Sequence, residues 1–237
     1  MIFITGDTHG DFKKIKRLCK VVSTRQSDVI IILGDVGLNY FLDLRDKRNK
    51  LEVSNLPIKL FCIHGNHECR ASNIKTYKET EFFGNKVLYE EEYPNILFAE
   101  DGEIYQIPDD KNNMLSTLVI GGAYSVDKQY RLITGNKWFS DEQPSDEIKA
   151  RTERNLDKVN WNVDVVLSHT VPLKYEPVEM FLSGIDQSSI DKSTEIWLDS
   201  IEDRLKYRMW YAGHYHTDKK VDRVRLMMHE IGLFGCQ

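Results

Sequence analysis

The chain has 237 residues, 37 Asp and Glu against 32 Lys and Arg, a formal net charge of −5 and 41% hydrophobic residues. That length suits one domain with a sizeable buried core, and 14 Gly with 6 Pro fall below their usual combined share of about 12%, which argues against a disordered or fibrous chain. The mildly acidic balance offers no basic stripe for non-specific nucleic-acid binding, and apolar runs such as Val29–Leu33 fall far short of the ~18 residues that span a bilayer, so neither partner is expected.

From the N-terminus, Met1-Ile2-Phe3-Ile4-Thr5 is apolar at once, without a basic leader or a small-residue cleavage site, so an opening strand is expected and an export signal is not. Apolar runs predict strands over Ile2–Thr5, Val29–Leu33, Ile58–Ile63, Thr117–Ile120, Asp164–Ser168 and Met209–Ala212. Helical spacing predicts helices over Phe12–Val22, Phe41–Asn55, Asp146–Val159 and Thr194–Lys206. The stretch Val87–Ile107 reads as two or three short strands turned by Asn and Asp, Tyr89–Tyr93 as a solvated edge or turn, and Val221–Met228 as a closing hairpin. Tyr124–Gln143, polar and aromatic, reads as a lid or rim. Strands alternating with amphipathic stretches predict α/β layers. The absence of repeats, low-complexity runs and linkers predicts one domain over residues 1–237. Four cysteines, Cys19, Cys62, Cys69 and Cys236, form no C-x-x-C pair and are too sparse for a disulfide scaffold, so a reducing, cytoplasmic setting is expected.

Five apolar runs end in short polar blocks: Gly6-Asp7-Thr8-His9-Gly10, Gly34-Asp35-Val36-Gly37, His64-Gly65-Asn66-His67-Glu68, His169-Thr170 and Gly213-His214-Tyr215-His216. Six of the seven histidines fall in these blocks, and His229 alone lies elsewhere. A single Gly-Asp or Gly-His after a strand is usually a turn. Five of them, placed where α/β sheets gather ligands beyond the carboxyl ends of their strands, point to one site. The donors they supply are Asp7, His9, Asp35, Asn66, His169, His214 and His216: carboxylate and amide oxygens with imidazole nitrogens, without thiolate. That set suits Mn, Fe or Zn. Seven donors exceed what one tetrahedral ion uses, so two ions are expected, with Asp35 as the anion that bridges them. Asp7-x-His9 and His214-x-His216 each place two donors on one side of an extended segment.

In this order the blocks resemble the GDxH, GD, GNH(E), H and GHxH pattern of the calcineurin-like metallophosphoesterase superfamily, over Asp7 to His216. The resemblance implies an α/β fold of two mixed β-sheets packed as a sandwich with helices on the outside, and a dinuclear site at one edge. It implies Asp7, His9 and His216 on one ion, Asn66, His169 and His214 on the other, and Asp35 on both. The cofactors would be two divalent metal ions, Mn foremost with Fe or Zn as alternatives. His67 would be the catalytic residue that contacts the phosphoryl group or protonates the leaving oxygen, and Glu68 would support its loop.

Gly65-Asn66-His67-Glu68-Cys69 is similar to the serine/threonine protein phosphatase branch, but its neighbours differ. Leu38 stands where that branch has the Asp that orients the histidine, and Asn39 and His64 stand where it has phosphate-gripping arginines. Neither Asn nor neutral His reproduces a bidentate Arg fork. Asn39 and His64 are kept as candidate substrate contacts, with a supporting hydrogen bond as the equal reading for His64. Tyr124, Arg131 and Lys174 read as solvated or structural residues, and Cys62 and Cys69 as buried and inert.

Two divalent cations outweigh the carboxylates of Asp7 and Asp35, so the site would attract phosphate. A water bridging both ions would be acidified enough to supply hydroxide for in-line attack, with His67 as general acid. The expected activity is phosphoester hydrolysis on a phosphorylated small molecule, a nucleotide or a phosphoprotein. Monoester and diester substrates, cyclic nucleotides and small oligonucleotides included, both remain open. The alternatives are a serine/threonine protein phosphatase and an inactive scaffold with the same fold.

Overall fold

The runs Val29–Ile32, Ile96–Ala99, Val165–Ser168 and Met209–Ala212 are buried at every position, as expected of strands covered on both faces. The computed structural model describes residues 1–181 and 184–236. Among these residues, thirteen strands form two mixed sheets.

The first sheet contains β1 (Ile2–Thr5), β2 (Val29–Ile32), β3 (Lys59–Cys62), β4 (Lys78–Phe82), β5 (Asn85–Tyr89), β6 (Ile96–Ala99) and β13 (Ile231–Leu233), in the order β13-β1-β2-β3-β6-β5-β4. The second contains β7 (Ile104–Pro108), β8 (Met114–Ile120), β9 (Val165–Ser168), β10 (Met209–Ala212), β11 (Lys219–Val221) and β12 (Val224–Leu226), in the order β11-β12-β10-β9-β8-β7. Among the described residues, five α-helices accompany them: α1 (Lys13–Val22), α2 (Leu44–Ser54), α3 (Lys128–Thr134), α4 (Asp146–Lys158) and α5 (Ser193–Glu202).

Strand alternation sorts the side chains into layers. Ile4, Ile31, Leu33 and Phe61 of the first sheet meet Val119, Val165, Leu167 and Tyr211 of the second in a shared core. Their neighbours Phe3, Ile30 and Ile32 turn outward onto Ile15 and Cys19 of α1 and Val53 of α2. Val166 and Trp210 turn outward onto Leu156 of α4 and Trp197, Leu198 and Ile201 of α5. The result is two mixed sheets packed together with helices on the outside.

Two registers position the site. Strands β1, β2 and β3 run parallel with Thr5, Ile32 and Cys62 level at their carboxyl ends. Strands β8, β9 and β10 run parallel with Ile120, Ser168 and Ala212 level at theirs. The hydrogen bonds His169 N to Ile120 O, Gly213 N to His169 O and Leu33 N to Thr5 O carry this alignment into the loops beyond.

The predicted elements are present with shifted ends. Helix α2 starts at Leu44 rather than Phe41, because Asp43 caps it and the Asp46 carboxylate accepts from the backbone N–H groups of Phe41 and Leu42. Helix α4 is capped by Ser145. Helix α5 ends at Glu202, short of Lys206. The Val87–Ile107 stretch resolves into β5, β6 and β7, and the closing hairpin is β11–β12. Strand β4 was not expected, since Lys78-Glu79-Thr80-Glu81-Phe82 is charged; it is an edge strand, mostly exposed, where charge is compatible with pairing on one side. Strand β13 is only three residues long and also went unforeseen. The Tyr124–Gln143 segment holds α3 and lies against the site.

Candidate metal centre

Each polar block emerges from the end of a buried parallel strand, and the two levelled strand ends bring all five together. Asp7 and His9 follow β1, Asp35 follows β2, Asn66 and His67 follow β3, His169 follows β9, and His214 and His216 follow β10. The turns are sharp. His9, Asp35, His214 and His216 all have positive φ, at 45°, 45°, 67° and 51°, a region that non-glycine residues seldom occupy and that gathers at functional sites. Gly34 has φ 98° and packs so closely that a Cβ would lie 2.1 Å from His169 Nδ1. A Cβ on Gly213 would lie 2.2 Å from Asp7 Oδ1. Glycine is what lets these backbones approach the donors.

The outer group is Asp7, His9 and His216. Their ligand atoms lie within 4.8 Å of one another, with His9 Nε2 2.9 Å from His216 Nε2 and 3.6 Å from Asp7 Oδ2, and His216 Nε2 3.4 Å from Asp7 Oδ2. Burial works against ionisation of Asp7, but its contact with His216 and the charges of His169 and His9 hold its carboxyl well below the usual range. His216 is pushed up by Asp7, whereas burial pushes His9 down.

The inner group is Asn66, His169 and His214. Asn66 Oδ1 lies 2.7 Å from His169 Nε2 and 3.1 Å from His214 Nδ1. The far nitrogen of His169, Nδ1, sits 2.7 Å from the Leu33 carbonyl, which as an acceptor leaves Nε2 with its lone pair toward the centre. Asn66 Nδ2 donates to Ser125 Oγ at 2.9 Å, which fixes the amide so that its oxygen faces the centre. Ser125 in turn bonds Glu142, which also accepts from Trp138 Nε1. Burial pushes His214 well down, toward the neutral form that a cation needs.

Asp35 stands between the two groups. Its Oδ2 lies 3.9 Å from His9 Nδ1, its Oδ1 lies 3.7 Å from His169 Nε2, and Oδ1 also accepts from His67 N at 2.8 Å. Asp7, Asp35 and His169 form a further convergent trio, as do His9, Asp35 and His67.

These residues fit divalent cations. Asp7 is 1% exposed, and its Oδ2 finds no hydrogen-bond partner among the described residues. An unpartnered buried carboxylate oxygen is costly, and a cation would complete it. Oxygen and imidazole donors without sulfur suit borderline divalent ions.

His67 sits beside both groups. Its Nδ1 is 3.2 Å from Asp35 Oδ2, and its Nε2 is 3.5 Å from Asp127 Oδ1, just ahead of α3. Arg131 of α3 pairs with Asp127 at 2.8 Å and comes within 3.3 Å of His67 Nδ1, while also donating to Tyr40 Oη. Although burial opposes it, the contacts with His67 and Arg131 hold the Asp127 carboxyl well below the usual range. Glu68 is fully buried under the loop, accepting from Gly65 N, and burial together with Asp35 pushes it up to about 8.

Two candidates from the sequence stand elsewhere. Asn39 is fully buried and accepts from Tyr77 Oη, and it lines neither cleft at the centre. His64 is buried behind the site near Arg70, and burial holds it well below its usual pKa. Neither side chain lines the two clefts at the centre; His64 instead lines a separate cleft with Arg70 and Asp101. Conversely, Ser125 and Asp127 were missed, and Arg131 was read as structural. Their signal was present but faint: Gly121-Gly122-Ala123-Tyr124-Ser125-Val126-Asp127 is a sixth polar stretch beyond a parallel strand, without a histidine to mark it.

The calcineurin-like phosphoesterase family model matches residues 1–218, and the chain belongs to that family. Among solved structures, the chain is similar to phosphopantetheinyl hydrolase (PptH) from Mycobacterium tuberculosis, with 16% identity, a TM-score of 0.49 and coverage of 96% of this chain and 87% of that one. It is also similar to protein AQ665 of Aquifex aeolicus, described as of unknown function, with 14% identity, a TM-score of 0.35 and 87% of each chain covered. No curated protein matches it significantly in sequence.

Proposed function

We propose that this chain is a phosphoesterase dependent on two divalent metal ions, acting as one domain over residues 1–237. The observation that carries this reading is Asp35, whose two carboxylate oxygens face an outer and an inner set of donors. Asp7, His9 and His216 would hold one ion, Asn66, His169 and His214 the other, and Asp35 both, with Mn preferred and Fe or Zn as alternatives. Bound there, the ions would acidify water and neutralise charge on the phosphoryl oxygens.

The chain's own residues supply the rest. His67 lies at the edge of the centre, with Nδ1 beside Asp35 and Arg131 and Nε2 beside Asp127. As general acid, the His67 ring would pass a proton to the departing alkoxide. Asp127 orients the ring, and Arg131 fixes Asp127. This supplies, from a different segment, the support that Leu38 cannot give.

Four free cysteines accord with a reducing, cytoplasmic setting. Among the described residues no helix is long and apolar enough to cross a membrane.

The test is a comparison of p-nitrophenyl phosphate with its bis-ester, using manganese-loaded protein and parallel metal analysis. Two ions per chain with hydrolysis of either ester is the expected result, and the preferred ester separates monoester from diester chemistry. No hydrolysis together with no bound metal would return the chain to a non-catalytic scaffold.

A further inference from the structure

His67 and Asp35 separate two clefts of different character. One, of about 280 Å³, is lined by His9, Tyr40, Phe41, Asn49 and Arg131 and carries a guanidinium at its wall. The other, of about 420 Å³, opens from Asn66, His67, His214 and His216 onto a wall that includes Val126, Met180, Phe181, Ile185, Ile190 and Tyr215. Phe181 and Tyr215 are stacked with their rings 17° from parallel, which gives the cleft a flat aromatic side. Val126 and Met180 are 47% and 50% exposed at its rim. Apolar groups gathered around a concave site and left open to water mark a surface that an apolar ligand covers.

The charges in this cleft are already committed. Lys192 is the one Lys or Arg among its described lining residues, and its Nζ lies 2.6 Å from Glu176 Oε2 and 5.0 Å over the Phe181 ring. Glu195, at the bottom, accepts from Thr170 Oγ1, and burial pushes it up to about 7. A second anionic group entering here would meet Glu176, Glu195 and Asp127 without an uncommitted cation. The guanidinium of Arg131 lines the smaller cleft instead.

Resting on the phosphoesterase reading above, we propose that the apolar cleft takes the organic group of the substrate. The substrates are then phosphoesters of uncharged, largely apolar alcohols rather than polyphosphates or acidic phosphopeptides. At roughly 30 Å³ for each water of bulk solvent, the cleft holds about fourteen waters, room for an organic group of moderate size.

The experiment uses the manganese-loaded full chain and measures KM for methyl, butyl and hexyl phosphate and for a nucleoside diphosphate, with p-nitrophenyl phosphate as reference. Burying a methylene is worth about fourfold in binding. KM should therefore fall at least tenfold from methyl to hexyl, and the nucleoside diphosphate should be the poorest substrate. Met180→Glu places a charge on the apolar wall and should collapse the methyl-to-hexyl ratio toward one, whereas Met180→Leu should retain it. Hydrolysis of p-nitrophenyl phosphate with KM flat or rising along the alkyl series would overturn the substrate class and leave the phosphoesterase reading standing. If no ester is cleaved, that reading fails. Calorimetry with methyl- and hexylphosphonate then decides the cleft by itself, since equal affinities would overturn it and at least tenfold tighter hexylphosphonate binding would uphold it.

Discussion

Around Asn66, His169 and His214 the donors are held from behind, by the Leu33 carbonyl on His169 and the Ser125 hydroxyl on Asn66, whereas His216 in the outer group keeps a side chain 54% exposed and His9 one 34% exposed. Both groups share Asp35 and offer three donors of similar chemistry, so composition does not distinguish them. What differs is freedom before binding. Donors already aimed and dehydrated lose little on meeting a cation, while exposed imidazoles must give up water and rotamer freedom. Two donor groups of similar composition can thus differ in how far the residues behind them fix their aim. The inner position is expected to bind first and the outer to exchange.

The largest effect should come from removing what the two groups share. Asp35→Asn is expected to lower kcat/KM about 10³-fold or more and to leave fewer than two ions per chain by elemental analysis. Two ions retained would mean that Asp35 is not the bridge, and the comparison would lose its hinge. Next comes His67→Ala, with a loss of about 10²–10³ on alkyl esters, a smaller loss on p-nitrophenyl phosphate and unchanged metal content. Asp127→Asn should follow the same pattern about tenfold more weakly. Equal losses on both esters would remove the general-acid role, and loss of an ion would instead place His67 with His9 and Asp35 as a ligand.

The inner and outer positions are separated directly by chelator titration of the loaded protein, where two phases differing by at least about tenfold are expected. His216→Ala should retain one ion through dialysis, and His169→Ala should not retain the tighter one. A single phase, or identical behaviour of the two variants, would erase the distinction.

Glu195 sharpens the inner side without metal. Its bond from Thr170 buttresses the strand end that carries His169, and burial raises it from an ordinary 4.5 to about 7. The folded chain therefore binds more protons than the unfolded one between those values, so stability is full below about pH 4.5 and falls as pH rises through 7. Glu195→Gln should remove that slope, raising the stability of metal-free protein at pH 8 by up to roughly 3 kcal/mol, read from denaturant unfolding at pH 5 and pH 8. An unchanged slope would show that Glu195 ionises freely in the fold. The smallest effect is Ser125→Ala, which frees the Asn66 amide and should weaken the tighter metal phase about tenfold; weakening only of the looser phase would reverse the assignment of inner and outer.

Much of this was legible from residues 2 to 216 alone. Buried parallel strands need continuous apolar runs, and the turns after them concentrate Gly, Asp and His, so Ile2–Thr5, Val29–Leu33 and Met209–Ala212 were visible together with Asp7, Asp35 and His214. Edge elements were less visible. Strand β4 carries Lys and Glu because one side faces water, and β13 is too short to show a period. Asn39 and His64 appeared as contact candidates because they occupy motif positions, but both are buried and neither lines the two clefts at the centre.

The sequence by itself determined the donors and their order, because ligand chemistry depends on residue type and strand-end position, and both are local. Only the tertiary structure decided which donors share a point, what stands behind them and what lies beside them. Ser125, Asp127 and Arg131 reach the centre from 59 to 64 residues beyond Asn66 and His67, and the apolar cleft joins Val126 to Phe181 and Tyr215. Those relations depend on the register of two sheets and the packing of loops between them, and no spacing along the chain encodes such a distance.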